Sequence, residues 1–133
     1  MYKSSLLITR KDMKICVLKA KDPANSAWSH RIYGAEPFLK EAGYAHVDTI
    51  EIVKSTCDEQ LEEIVSSKRY DLLFNMCDGA AMDGRAGHGV CEYLNHKCEI
   101  PFVGPTVKSY DPTREEMKVT CAIHEIATPK YAF

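Results

Sequence analysis

No stretch of this sequence approaches the ~20 consecutive apolar residues of a membrane-spanning helix, and Met1 to Arg10 lacks the unbroken apolar core of a secretory signal. The chain therefore reads as intracellular, cytoplasmic or in an organelle. Basic excess is missing too: Lys and Arg total 17 against 19 for Asp and Glu, a net charge of -2. With no local run of cations either, neither nucleic acid nor an anionic membrane surface is an expected partner. The six cysteines, Cys16, Cys57, Cys77, Cys91, Cys98 and Cys121, include no CxxC pair. Scattered thiols without a secretory signal point to reduced cysteines rather than a disulfide framework. His88 with Cys91 and His96 with Cys98 would place two metal clips on one helix or its end, whereas structural zinc takes its clips from separate segments, so no metal is expected. Neither GxGxxG nor GxxxxGK[ST] occurs, which removes the dinucleotide fingerprint and the Walker phosphate loop.

What is present suits one folded domain spanning residues 1–133. Hydrophobic residues make up 45% and charged residues 27%, ordinary values for a globular protein. A chain of 133 residues buries roughly two thirds of its unfolded surface. KICVLKA, Lys14 to Ala20, reads as a first strand, with residues 1–13 a frayed lead-in or an extra edge strand. Lys21 to His30 has loop composition. Ile32, Ala35, Phe38, Leu39 and Ala42 recur at helical spacing before a stop at Gly43, provided Pro37 lies in the first turn. VDTIEIV alternates as a second strand. A helix from Cys57, capped by Thr56 or Ser55, presents Leu61, Ile64 and Val65 and closes with Lys68 and Arg69 in its last turn. In YDLLFNM the run Leu72, Leu73, Phe74 is too apolar for a half-exposed strand and suits one buried on both faces. Ala86 to His96 is a third helix, IPFVG a fourth strand, Pro112 to Glu125 a fourth helix, and TPKYAF the start of another extended segment. This alternation implies an α/β fold: a three-layer, Rossmann-like, mostly parallel sheet of four to five strands with helices on both faces.

In such a sheet ligands gather beyond the carboxyl ends of the strands. Three loops fall there: Lys21 to His30, Cys77 to Gly87, and Gly104 to Asp111. The middle one, CDGAAMDGRAGHG, leads into a helix near Arg85 whose first amides are expected to face an anion, with Gly84 and Gly87 permitting close approach. Glycines that merely turn the chain are the equal alternative.

At this loop the sequence resembles the N-terminal region of D-alanine:D-alanine ligases and their ATP-grasp relatives. The matching residues are Phe74 and Asn75, Gly79, Asp83 and Gly84, Leu94, the run Ile100, Pro101, Phe102, Val103 and Gly104, and then Ile126, Thr128 and Pro129. Element order matches over nearly the whole chain, motifs only over residues 70–133. The resemblance implies a pre-ATP-grasp domain, which lines one wall of the active site, binds the first amino-acid-like substrate and helps enclose ATP. The family's reaction activates a carboxylate as an acyl phosphate for attack by an amine. Substrate contacts would fall on Asp78, Gly79, Asp83, Gly84, Arg85 and, in the first loop, Ser29, near Trp28 and His30. Asp78-Gly79 stands where the ligases carry His-Gly, and a carboxylate cannot supply a histidine's donor at neutral pH. Where the ligases use Met-Asp-Lys, an ungapped count places Arg114 opposite the nucleotide-holding lysine, with Lys118 one turn on; a solvated face shared with Glu115 and Glu116 is the alternative.

ATP and Mg2+ are the cofactors of the complete enzymes, held largely by subdomains that would follow residues 126–133. The 133 residues are therefore expected to be a folded but catalytically incomplete part, holding neither cofactor tightly. Relatives often dimerise through this domain, so a homodimer stays open. Two other readings compete: a stand-alone module binding a small anion or nucleotide, and a redox role for Cys77 near a helix start.

Overall fold

In the computed structural model, the residues described are 8–23, 34–107 and 112–130. They form four strands and four helices in strict alternation: β1 (Lys14–Ala20), α1 (Glu36–Glu41), β2 (His46–Ile52), α2 (Cys57–Ser66), β3 (Leu72–Asn75), α3 (Gly87–His96), β4 (Phe102–Val103) and α4 (Arg114–Ile123). All strand pairs are parallel, and the order across the sheet is β2-β1-β3-β4. The expected parallel α/β sheet is present with four strands among the described residues. Residues 8–13 form no edge strand: Met13 N–H donates to Thr9 O at 3.0 Å and the Thr9 hydroxyl to Asp12, closing a turn.

β1 is central and buried on both faces, as its continuous apolar run requires. Its even positions, Cys16, Leu18 and Ala20, pack with Ile52 of β2, Leu61 and Ile64 of α2, and Val90 and Leu94 of α3. Its odd positions, Ile15 and Val17, pack with Val47, Phe74 and Leu39, the last from α1. Among the described residues α2 and α3 thus cover one face, and α1 packs on the other. α4 has no buried residue. Leu18, Leu61 and Leu73 are wholly buried, and each contributes about 1.5–3 kcal/mol relative to an exposed side chain.

The ends of α1 match expectation, and those of α2 depart from it. α1 begins late enough to hold Pro37 in its first turn, and Gly43 (φ 96) turns the chain while Tyr44 N–H returns to Leu39 O at 3.1 Å. α2 is not capped by a Thr56 or Ser55 side chain accepting an amide. A 3-10 turn, Lys54–Thr56, precedes it, and Gln60 reaches back instead: its Oε1 accepts from Val53 N–H at 2.8 Å and from the Thr56 hydroxyl at 3.2 Å. The helix stops at Ser66, so Lys68 (φ 52) and Arg69 lie beyond its last turn. α4 starts after Thr113 with a closed capping box: Glu116 N–H donates to Thr113 Oγ1 at 3.1 Å, and Thr113 N–H to Glu116 Oε2 at 2.7 Å. The hydrogen bonds from Thr113 hold the Glu116 carboxyl below its usual range.

From β1 the chain steps one way to β2, then crosses back past β1 to β3. The loops leaving β1 and β3 therefore diverge at a topological switch point, where an open parallel sheet leaves a crevice.

Candidate site at the sheet switch point

The crevice is built from three strand exits. After β1 come Lys21, Asp22 and Pro23, tied to β2 by the Lys21 N–H bond to Ile52 O at 2.9 Å. After β3, Met76 N–H continues the ladder to Leu18 O at 2.9 Å. The chain then turns over Asn75, the buried polar residue of the core: its Oδ1 accepts from Cys77 N–H at 3.0 Å, and its Nδ2 donates to Cys91 Sγ at 3.6 Å. After β2, the turn before α2 supplies Lys54.

The loop from Cys77 to Ala86 lies at the carboxyl rim of the sheet and is held by its own polar groups. Asp83 Oδ2 accepts from Ala80 N–H at 2.8 Å, while Asp83 N–H donates to Ala80 O at 3.0 Å. The Lys54 ammonium donates to Ala81 O at 2.8 Å and to Asp83 O, fastening the loop to the β2 exit. Arg85 spans the switch point, its Nε 3.2 Å from Asp22 Oδ1 and its Nη1 2.5 Å from Asp78 Oδ2. Arg85 and Asp22 are about equally shielded, at 24% and 25% side-chain exposure, whereas Asp78 is 68% exposed.

Gly84, expected from the sequence to permit close approach, and Gly79, expected as a substrate contact, do more than turn the chain. A Cβ on Gly79 (φ 119) would lie 2.6 Å from Arg85 Cβ, and one on Gly84 would lie 2.6 Å from Pro23 Cγ. Side chains there would push the loop off Arg85 and off the β1 exit. The amides at the start of α3 behave differently from expectation: Gly87 N–H donates to Asp78 O at 3.2 Å and His88 N–H to Gly79 O at 3.0 Å. These two donors close the loop on itself rather than facing an anion.

A groove of about 660 Å3 opens beside the bridge, lined by Lys21, Asp22, Pro23, Val53, Lys54 and Gly84 among others. A hollow of about 230 Å3 on the other side of Lys54 is lined by Asp58, Ala80, Arg85 and His88 among others. The groove has the size of a small-molecule site. Asp78, Gly79, Asp83, Gly84 and Arg85 thus come together, joined by two residues that sequence reasoning missed, Asp22 and Lys54. A signal existed for both: each lies two residues beyond the end of a parallel strand, and the residues that leave such strands gather at this rim.

Ser29, with Trp28 and His30, lies outside the described residues. Arg114 and Lys118 fall on exposed α4, where the Lys118 ammonium donates to Pro129 O at 2.9 Å; no described contact joins them to the Arg85 bridge. Cys77 is 2% exposed, and burial pushes its thiol far above the ordinary range. The activated-thiolate reading of Cys77 is therefore corrected: a reactive thiol needs an exposed, electropositive setting. Burial likewise raises Cys57 to about 11 and Cys16 to about 12. Among the described residues no group of three or more His, Cys, Asp or Glu side chains is placed to hold a metal ion, and no helix is long and apolar enough to cross a membrane. Comparison of the chain with protein-family models, with curated proteins and with solved structures finds no match.

Proposed function

We propose that this domain is the substrate-facing wall of an ATP-dependent carboxylate-amine ligase, related to the D-alanine:D-alanine ligases, and that the 133 residues alone perform no ligation. The observation that carries the reading is the Arg85 bridge between Asp22 and Asp78, set where the loops after β1 and β3 part. A free amino acid is a zwitterion, and the crevice offers partners for both ends. Asp78 is mostly exposed, so its oxygens can accept from an ammonium group while one stays on Arg85. Lys21, in the wall of the groove with Asp22, supplies a cation for a carboxylate. On this reading Arg114 and Lys118 of α4 would contribute charge toward the nucleotide. The phosphate-gripping and metal-holding groups would come from other polypeptide.

The rival, a stand-alone module taking a small anion on the same loop, is the weaker reading because the Gly87 and His88 amides are committed to Asp78 and Gly79. Calorimetric titration of the purified chain with D-alanine tests the proposal. Saturation in the millimolar range is expected, as for one partial wall of a site, weakened by Asp78→Asn and absent with acetate or methylammonium alone. Equal binding of acetate would favour the anion module. ATP hydrolysis or D-amino-acid ligation by the 133 residues would refute the catalytically incomplete assignment.

A further inference from the structure

A second cavity, of about 420 Å3, lies at the opposite edge of the sheet, where the strands begin. Lys14, Lys40, His46, Asp48, Arg69 and Tyr70 are in its wall. Basic residues at this edge have an ordinary explanation in part. Helices in a parallel α/β fold end here, and the negative ends of their dipoles favour cations. That accounts for Lys40 in the last turn of α1, which also pairs with Glu36 at 2.5 Å, and for Arg69 just beyond α2. It does not account for Lys14 and His46, which open strands.

Lys14 and His46 are register partners in the first rung of β1 and β2, so their backbones run about 4.8 Å apart. Both occupy even positions, in phase with Cys16, Leu18, Ile50 and Ile52, and therefore project to the same face of the sheet. Among the described residues neither the Lys14 ammonium nor the His46 ring has a hydrogen bond or ion pair. The one carboxylate in the wall is already held: Asp48 Oδ2 accepts from the Tyr70 hydroxyl at 2.9 Å and lies 3.5 Å from Arg69 Nη2. The Arg69 guanidinium also lies over the Tyr70 ring, 5.5 Å from its centre, which fixes it at the cavity wall. The result is a small-molecule-sized cavity with two basic groups on adjacent strands that have no described partner, and an Arg69 on the wall that is shared with Asp48.

We propose that this cavity binds a small soluble molecule bearing a phosphoryl group, received by Lys14 and His46 with Arg69 alongside. A tetrahedral anion presents oxygens in several directions, which suits donors arriving from two strands and a turn. The site is independent of the switch-point crevice, because the two lie at opposite ends of the same strands.

The test is amide chemical-shift mapping of the full chain titrated with inorganic pyrophosphate, with phosphatidic acid vesicles presenting the same group from a lipid surface. Saturable shifts at residues 14, 46–48 and 69–70 are expected. Lys14→Ala and His46→Ala should each weaken binding about tenfold, the loss usual for deleting a donor to a charged ligand oxygen. Lys19→Ala, five residues along β1 toward the other edge, should bind as the parent does. Well-dispersed spectra of Lys14→Ala and His46→Ala would show that both fold. Absence of saturation, unchanged affinity in both variants, or binding to vesicles alone overturns the proposal.

Discussion

Replacing Arg85 by Met tests whether the switch point is held by charge, because it keeps an unbranched apolar stem and removes both ion pairs. The two contacts are not equivalent. At 3.2 Å and an effective dielectric constant near 20, the attraction between Arg85 and Asp22 is about 5 kcal/mol before desolvation and ordering are subtracted. Both groups are three-quarters shielded, so water screens the pair poorly, and breaking it leaves Asp22 without its partner. A net cost of about 1–3 kcal/mol is the reasonable residue of those opposing terms. The Asp78 contact is shorter, yet Asp78 is 68% exposed, and its share is discounted to below about 1 kcal/mol. Arg85→Met should therefore cost about 1–3 kcal/mol, Asp22→Asn somewhat less, and Asp78→Asn well under 1, read from urea midpoints at constant m-value. A cycle combining Arg85→Met with Asp22→Asn should show coupling above about 0.5 kcal/mol. An Asp78→Asn variant as damaged as Asp22→Asn, or an Arg85→Met variant indistinguishable from the parent, would show that the bridge does not hold the two loops.

Three further outcomes follow from the same coordinates. Gly104→Ala should cost about 2–5 kcal/mol, because its φ of 125 strains an L-residue and the new Cβ would lie 2.3 Å from Asn75 O; Gly43→Ala, at φ 96 with open space around it, should cost only about 1 kcal/mol by thermal melting. Cys77 should resist iodoacetamide at neutral pH in the native protein and react in urea, with labelled peptides identified by mass spectrometry; rapid native labelling would contradict its burial. Stability should fall above about pH 9: the folded-state values of Cys57 and Cys16 are raised to about 11 and about 12 by burial, so the unfolded chain loses those protons first. Each thiol then contributes a slope of a little over 1 kcal/mol per pH unit until its folded value is passed, and urea midpoints flat between pH 9 and 11 would refute this.

The sheet was legible because its signals are local. Ile15, Val17 and Leu18 alternate within a run buried on both faces, and Lys14 to Ala20 is observed as read. The run Leu72, Leu73, Phe74 told the same story for β3, and the alternation of elements implied parallel pairing. What could not be read depends on contacts made across the fold. The Thr56 hydroxyl does not cap α2 because it donates to Gln60 Oε1, which also accepts from Val53 N–H ahead of the 3-10 turn. Arg85 turns toward Asp22, a residue 63 positions earlier in sequence, and only the β2-β1-β3 order brings them together. The loop glycines were recognised as special, but the reason, close approach of Arg85 and Pro23, needed the partners in place. α4 shows the converse: Thr113 and Glu116 specify its start locally, while no sequence pattern reveals that its apolar residues Met117 and Ile123 stay exposed.

The most direct test of the central claim, that the rim between the β1 and β3 exits receives an amino-acid-like ligand, is amide chemical-shift mapping during titration with D-alanine. Saturable shifts concentrated at residues 21–23, 54, 78–79 and 83–85 are the expected result, reduced in Asp78→Asn. Shifts that never saturate, or that gather instead around residues 14, 46 and 69 at the other end of the strands, would contradict it.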